Sequence, residues 1–178
     1  MVKIAVTGPE SSGKTTLTRQ LAEYFHTGWC PEYSREYFQQ RATDYTLADV
    51  VAINKGQMNA AQNLIAKMNT AGILFFDTEP IVNQVWAMKK FGFSPPEIQK
   101  SVSQPYYDLY LLCFPDLKWE YDPLREDEHQ RMVLFDSYVY VLTMIKANFF
   151  IVKGYGKSRF TMALDRILSL FPSMNNIQ

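Results

Sequence analysis

Short apolar runs alternate along this chain with longer segments whose apolar residues recur at helical spacing. Val2-Lys3-Ile4-Ala5-Val6-Thr7 reads as a short strand, and the segment from Thr16 to Phe25 places Leu17, Leu21, Tyr24 and Phe25 on one helical face. His26-Thr27-Gly28 breaks that pattern before a very short strand at Trp29-Cys30, and the polar, aromatic stretch Pro31 to Tyr37 then enters a helix. Thr46 caps a long helix with Leu47, Val50, Val51, Ile53, Leu64, Ile65 and Met68 inward, stopping near Gly72. Ile73-Leu74-Phe75-Phe76 lacks polar alternation, the mark of a strand buried on both faces, and ends on Asp77. A helix from Pro80 to Phe91 is ended by Gly92, and Pro95-Pro96 opens a shorter one. Leu109 to Cys113 is the next strand. A charged stretch, Asp116 to Arg131, leads into a helix from about Glu128 to Asn148, followed by a strand at Phe149 to Val152 and a last helix from about Ser158 to Phe171. Strands alternating with helices predict a parallel sheet covered on both faces, a three-layer α/β fold of five mainly parallel strands in a single domain over residues 1–178.

Composition narrows the function classes. The chain carries 18 Lys and Arg against 18 Asp and Glu, so the electrostatic footprint of a nucleic-acid binder is missing and none is expected as a partner. No apolar run approaches the roughly 18 residues of a membrane span. With the glycine-rich loop starting at Gly8, no room remains upstream for a signal peptide, and a cytoplasmic location is expected. Cys30 and Cys113 are far apart in apolar or aromatic surroundings and read as buried thiols. Aromatic residues make up 15% of the chain, enough that some rings must line either a core or a pocket. Composition leaves the oligomeric state open.

Gly8-Pro9-Glu10-Ser11-Ser12-Gly13-Lys14-Thr15 fills G-x-x-x-x-G-K-[ST] at every fixed position, between a strand and a helix. A polyphosphate needs many donors converging in a small space. Glycines let the backbone wrap closely so that successive N–H groups of residues 8–16, through Thr16, face the anion at the helix N-terminus. In that arrangement Lys14 reaches the β- and γ-phosphates of ATP, and the Thr15 hydroxyl holds Mg²⁺. Asp77, at the end of a buried strand, is presented at the same sheet edge and can be the second Mg²⁺-organising group, or else the N-cap of the next helix. Glu79 is placed to support the metal's water shell or to bind substrate hydroxyls.

Phosphoryl transfer to a hydroxyl needs a group that accepts or orients its proton. Glu32, at the end of the second strand, and Asp77 are equal candidates. Trp119 to Arg131, within a segment of about residues 115–131, reads either as a solvated loop or as a lid bringing Arg125 and Arg131 onto the transferring phosphate. Arginines so placed are worth about 10³–10⁵ in rate, against roughly 0.5–2 kcal/mol for one aromatic contact to a cation. His26 and His129 read as surface side chains. Gly154-Tyr155-Gly156-Lys157-Ser158 ends like a second phosphate loop, but the first glycine of the pattern would fall on Ile151. It reads instead as a turn that places Tyr155 and Arg159 near the adenine ring.

Several segments occur in an order that identifies a family. GPESSGKTT at Gly8 to Thr16, PEYSREY at Pro31 to Tyr37, Asp77-Thr78-Glu79 followed by Trp86, Tyr107-Asp108-Leu109-Tyr110, and WEYDPLREDEHQR at Trp119 to Arg131 together resemble the ribosylnicotinamide kinase domain of NadR-type proteins. The resemblance runs nearly end to end. It implies a P-loop NTPase fold of the nucleoside- and nucleotide-kinase type with an AAA-type ATP-binding domain, ATP and Mg²⁺ as cofactors, and phosphorylation of the 5′-hydroxyl of nicotinamide riboside to the mononucleotide. It further implies substrate contacts from Glu32, Tyr33, Arg35, Tyr37, Asp77, Glu79, Trp86, Tyr107, Trp119 and Asp122. Family members often carry an adenylyltransferase domain and sometimes a DNA-binding repressor domain, neither of which is found in these 178 residues, so neither activity is expected of them. A pyridinium cation on a ribose suits electron-rich rings, of which Tyr33, Tyr37, Trp86, Tyr107 and Trp119 are candidates, with two or three expected at the substrate. Two other readings stand beside this one: a kinase for another nucleoside or small alcohol, and a nucleotide-gated regulatory ATPase module.

Overall fold

In a computed structural model that describes every residue except 40–43, 69–71, 105, 127, 177 and 178, five parallel strands form one sheet in the order β2-β3-β1-β4-β5. They are β1 (Val2–Thr7), β2 (Trp29–Cys30), β3 (Ile73–Asp77), β4 (Leu109–Cys113) and β5 (Phe149–Val152). The helices are α1 (Lys14–Tyr24), α2 (Tyr33–Phe38), α3 (Leu47–Lys67), α4 (Pro80–Phe91), α5 (Pro96–Ser103), α6 (Arg131–Met144) and α7 (Gly156–Leu170). Parallel strands need crossovers that return over a face of the sheet, so helices cover both sides. The two-residue periodicity of the strands sorts the core accordingly. Ile4, Val6, Phe75, Leu109 and Leu111 pack with Leu17, Leu21, Phe25 and Ile167 under α1 and α7. Ala5, Leu74, Phe76, Tyr110 and Leu112 pack with Val50, Ile53, Ile81, Ile98 and Leu134 under the helices α3 to α6.

The strand and helix assignments read from the sequence are reproduced, with three local differences. Tyr24 is 36% exposed, and Thr18 and Ala22 take its place on the buried face of α1. On α3 the buried face is formed by Val50, Ile53, Asn54, Gln57 and Ala61, while Leu47, Val51, Leu64, Ile65 and Met68 are only partly buried. Gln57 is buried because it works as a fastener: its carbonyl accepts from the Tyr33 N–H at 2.7 Å and its amide donates to the Pro31 carbonyl at 3.3 Å. The helix after the charged stretch begins as a short 3₁₀ turn, Glu128–Gln130, before α6 proper, which ends at Met144. Thr46 caps α3 as expected, in a capping box with Asp49.

β1 is central, flanked by β3 and β4. The chain visits the β3 side first and crosses to β4 afterwards, which opens a crevice beyond the carboxyl ends of these strands where α/β folds bind ligands. The segments following all five strands emerge at this one edge.

Candidate active site

The loop between β1 and α1 is held in a conformation that its glycines make accessible. Gly8 has φ 131° and Gly13 φ 77°, both in the region that disfavours a side chain. A Cβ on Gly8 would stand 2.7 Å from the Cys113 carbonyl oxygen, so this residue lets the loop pass directly over the end of β4. Ser12 is buried, and its hydroxyl donates to the Pro9 carbonyl at 2.6 Å, closing the turn from within. The Lys14 ammonium donates to the same carbonyl at 2.8 Å. Residues 8 to 16 all line a cavity of about 220 Å³.

Asp77 sits level with Val6 in the sheet and accepts from the Thr15 hydroxyl at 2.5 Å. Its other carboxyl oxygen is buried without a partner. Burial and then the charge of Glu32 raise the Asp77 carboxyl to about 6, with Thr15, Lys14 and Arg35 pulling the other way. An unpaired carboxylate oxygen beside a threonine hydroxyl is a donor set that suits a hard cation such as Mg²⁺. The helix-cap alternative for Asp77 is not adopted. Thr78 takes φ 72° and turns the chain, so that Glu79 caps α4 by accepting from the Ile81 N–H at 2.7 Å. Glu79 also accepts from the Thr7 hydroxyl at 2.8 Å, is 1% exposed and does not reach the cavity wall. Burial lifts its carboxyl to about 7.

Glu32 lies on the wall, its carboxylate accepting from the Ser34 hydroxyl at 2.7 Å and lying 3.7 Å from the Arg35 guanidinium. Arg35 reaches across to Asp122 at 3.0 Å. Against partial burial, the Leu124 N–H and Arg35 hold Asp122 below the usual carboxylate range. The segment between β4 and α6 closes one side of the cavity with Leu117, Lys118, Glu120, Leu124 and Arg125. It is tied to the phosphate-binding loop: Ser11 Oγ donates to the Lys118 carbonyl at 3.4 Å and accepts from the Glu120 N–H at 3.0 Å, and the Glu126 N–H donates to Glu10 at 2.9 Å. Arg125 folds onto the Glu120 carbonyl at 2.5 Å. Arg131 lies off the wall, donating to the Leu117 carbonyl at 2.9 Å with its guanidinium over the Trp119 ring. Residue 127 of this segment lies outside the described residues.

The predicted aromatic wall is largely redistributed. Trp86 lines the cavity; Tyr33, Tyr37, Tyr107 and Trp119 do not. Tyr33 lies flat on α3, where a Cβ on Gly56 would come within 2.0 Å of its ring. Tyr37 donates to Asp49 at 2.6 Å, and Tyr107 is buried against Phe76 and Tyr110. In their place stand Phe38, Leu134 and Tyr138, together with Val82, Val85 and Lys89. Positions 82, 85, 86 and 89 share one face of α4, a periodicity readable directly after Asp77. Tyr155 and Arg159 lie outside the wall too. Tyr155 is 64% exposed and its hydroxyl donates to the Asp116 carbonyl, whereas Arg159 is buried and occupied by protein groups. The two cysteines are free and buried, and burial together with the charge of Asp77 pushes the Cys30 thiol up to about 11, leaving it inert. Among the described residues no cluster of three or more His, Cys, Asp or Glu forms a separate metal site, and no helix is long and apolar enough to cross a membrane.

Residues 3–159 match the family model described as AAA domain. The trifunctional NAD biosynthesis/regulator protein NadR of Salmonella typhimurium strain LT2 is 30% identical over 129 residues, 68% of this chain and 30% of that protein. The chain thus spans about three tenths of the curated relatives it matches. A crystal structure of NadR in complex with NAD and AMP-PNP superposes with a TM-score of 0.78 at 25% identity, covering 94% of this chain and 49% of that one. Thymidylate kinase from Candida albicans shares the fold, with a TM-score of 0.71 at 16% identity over 97% of this chain and 93% of that one. The chain belongs to the AAA-domain family, with a P-loop kinase fold homologous to part of NadR.

Proposed function

We propose that this chain is an ATP-dependent kinase that phosphorylates the 5′-hydroxyl of nicotinamide riboside. One observation carries the reading: a single cavity is walled on one side by the phosphate-binding loop with Lys14 and on the other by Glu32, Arg35, Phe38 and Trp86. That arrangement suits a triphosphate and a flat-ringed acceptor meeting face to face. The homology to NadR, whose name includes NAD biosynthesis, and the AMP-PNP held by a NadR structure support the choice of substrates.

In this reading the roles of the two candidate acids separate by position. Asp77 is buried on Thr15 and would hold Mg²⁺ with it, a cation that neutralises phosphate charge. Glu32 faces the cavity and is the group that takes or orients the proton of the acceptor hydroxyl. Trp86 offers its ring to the pyridinium. The segment of about residues 115–131 acts as the lid, with Arg125 on the cavity side. A coupled ADP-release assay over a panel of nucleosides tests the proposal. ADP release stimulated by nicotinamide riboside, with a phosphorylated product, is expected. Stimulation by a different nucleoside alone reassigns the substrate, and release indifferent to every acceptor makes the chain a nucleotide-gated module.

A further inference from the structure

We infer that Arg159 is a positioning residue for the nucleotide phosphates, aiming a backbone amide of the loop from behind rather than touching the adenine. This rests on residues 8–15 binding those phosphates. The Arg159 side chain is 5% exposed. One guanidinium nitrogen donates to Ser12 O and to Phe114 O, both at 2.8 Å, and the other to Asp116 at 2.6 Å and Gly154 O at 2.8 Å. Asp116 in turn accepts from the Gly154 N–H at 2.7 Å. One planar group thus fastens the phosphate-binding loop, the end of β4 and the turn before α7 to each other, with the fixed fork geometry that only arginine supplies.

The contact with Ser12 matters most. In a trans peptide the C=O and the following N–H point in opposite directions. With the Ser12 carbonyl drawn back to the guanidinium, the Gly13 N–H faces away from it, toward the side on which Ser12 and Gly13 border the cavity. Gly13 sits at φ 77°, where a glycine peptide can rotate at little cost. A restraint on the carbonyl therefore fixes what the backbone alone leaves loose. The guanidinium Nε lies 3.8 Å from where a Gly13 Cβ would stand, directly behind the loop.

The test is a ladder of ligands, adenosine, AMP, ADP and AMP-PNP, titrated calorimetrically into the parent, Arg159→Lys and Arg159→Met, with thermal melting recorded in parallel. The lysine variant keeps the charge and the stem but cannot span four acceptors, and it keeps the test valid if the methionine variant fails to fold. In the parent, affinity rises from AMP to ADP and AMP-PNP. In the variants we expect the gain from AMP to ADP to shrink by about 10–100-fold, the scale of one mis-aimed donor to a charged group, with adenosine unchanged. Added guanidinium ion should restore part of it in Arg159→Met. Equal weakening of all four ligands would move Arg159 to the adenine, and a lowered melting point with an intact ladder would leave it purely structural; either overturns the inference. A parent that gains nothing from AMP to ADP overturns the phosphate-site reading itself, and this one with it.

Discussion

Glu79 carries an almost wholly buried carboxyl, and that ties folding stability to pH. The Ile81 N–H at 2.7 Å and the Thr7 hydroxyl at 2.8 Å donate to it, with the Val82 N–H adding to them. Burial lifts the group from 4.5 to about 7 despite them. Between those values the folded protein keeps a proton that the unfolded chain has released, so stability falls as pH rises through that window and the loss is complete above it. At about 1.36 kcal/mol per pKa unit, the span from 4.5 to about 7 corresponds to a loss of at most about 3 kcal/mol. Glu79→Gln keeps the shape, accepts from Ile81 and donates to the Thr7 oxygen, with no charge at any pH. The variant should lie within about 1 kcal/mol of the parent near pH 4.5, the net worth of one hydrogen bond. Near pH 8 it should be more stable by about 2–3 kcal/mol, or about 5–10 °C in melting temperature for a chain of this size. Urea unfolding at both pH values, read as the difference between the two proteins, cancels to first order the contribution of Asp77, which burial also raises. Parallel pH profiles, or a variant weaker than the parent near pH 8, would refute the reasoning.

Three further outcomes concern the site. Lys14→Ala should abolish transfer and weaken ATP binding while changing stability by no more than about 3 kcal/mol, since the ionised side chain makes one partly buried hydrogen bond to Pro9; unchanged turnover would remove the loop's role. Arg125→Ala should lower turnover by about 10³-fold or more with ATP affinity nearly unchanged, and the reverse pattern in steady-state kinetics would return the segment to plain surface. Glu32→Gln and Asp77→Asn should both slow turnover, but added Mg²⁺ should partly rescue only Asp77→Asn; rescue of Glu32→Gln alone would exchange their roles.

What the chain discloses before folding is what local chemistry decides. Ile73 to Phe76 could be placed because a strand buried on both faces needs no polar alternation, and residues 8 to 15 because the loop's function depends on glycines and donors adjacent in sequence. The fate of an aromatic ring depends instead on which neighbour leaves space. Tyr33 turned to α3 because Gly56 is open there, and Tyr107 followed its strand into the core. Glu79 was hidden for a related reason. Thr78 adopts a left-handed conformation rare for a threonine, and that turn makes the acid a helix cap rather than a substrate ligand. Arg159 contacts a carbonyl 147 positions away, which no local pattern encodes.

The side chains of the loop divide by what an arriving phosphate offers them. Lys14 holds a neutral carbonyl at 2.8 Å, and exchanging it for a phosphate oxygen gives the ammonium an acceptor of opposite charge in place of a neutral one. Ser11 is different. Its hydroxyl both donates, to the Lys118 carbonyl, and accepts, from the Glu120 N–H, so a phosphate oxygen could replace only the first and would leave the Lys118 carbonyl without its donor. Its φ of 51° puts the backbone in the left-handed region, a strain of roughly 1–2 kcal/mol that the two contacts with the charged segment offset. Lys14 is therefore free to trade partners on binding, whereas Ser11 gains least by doing so and is better suited to keeping the segment over the cavity while the nucleotide is held by ammonium and backbone amides.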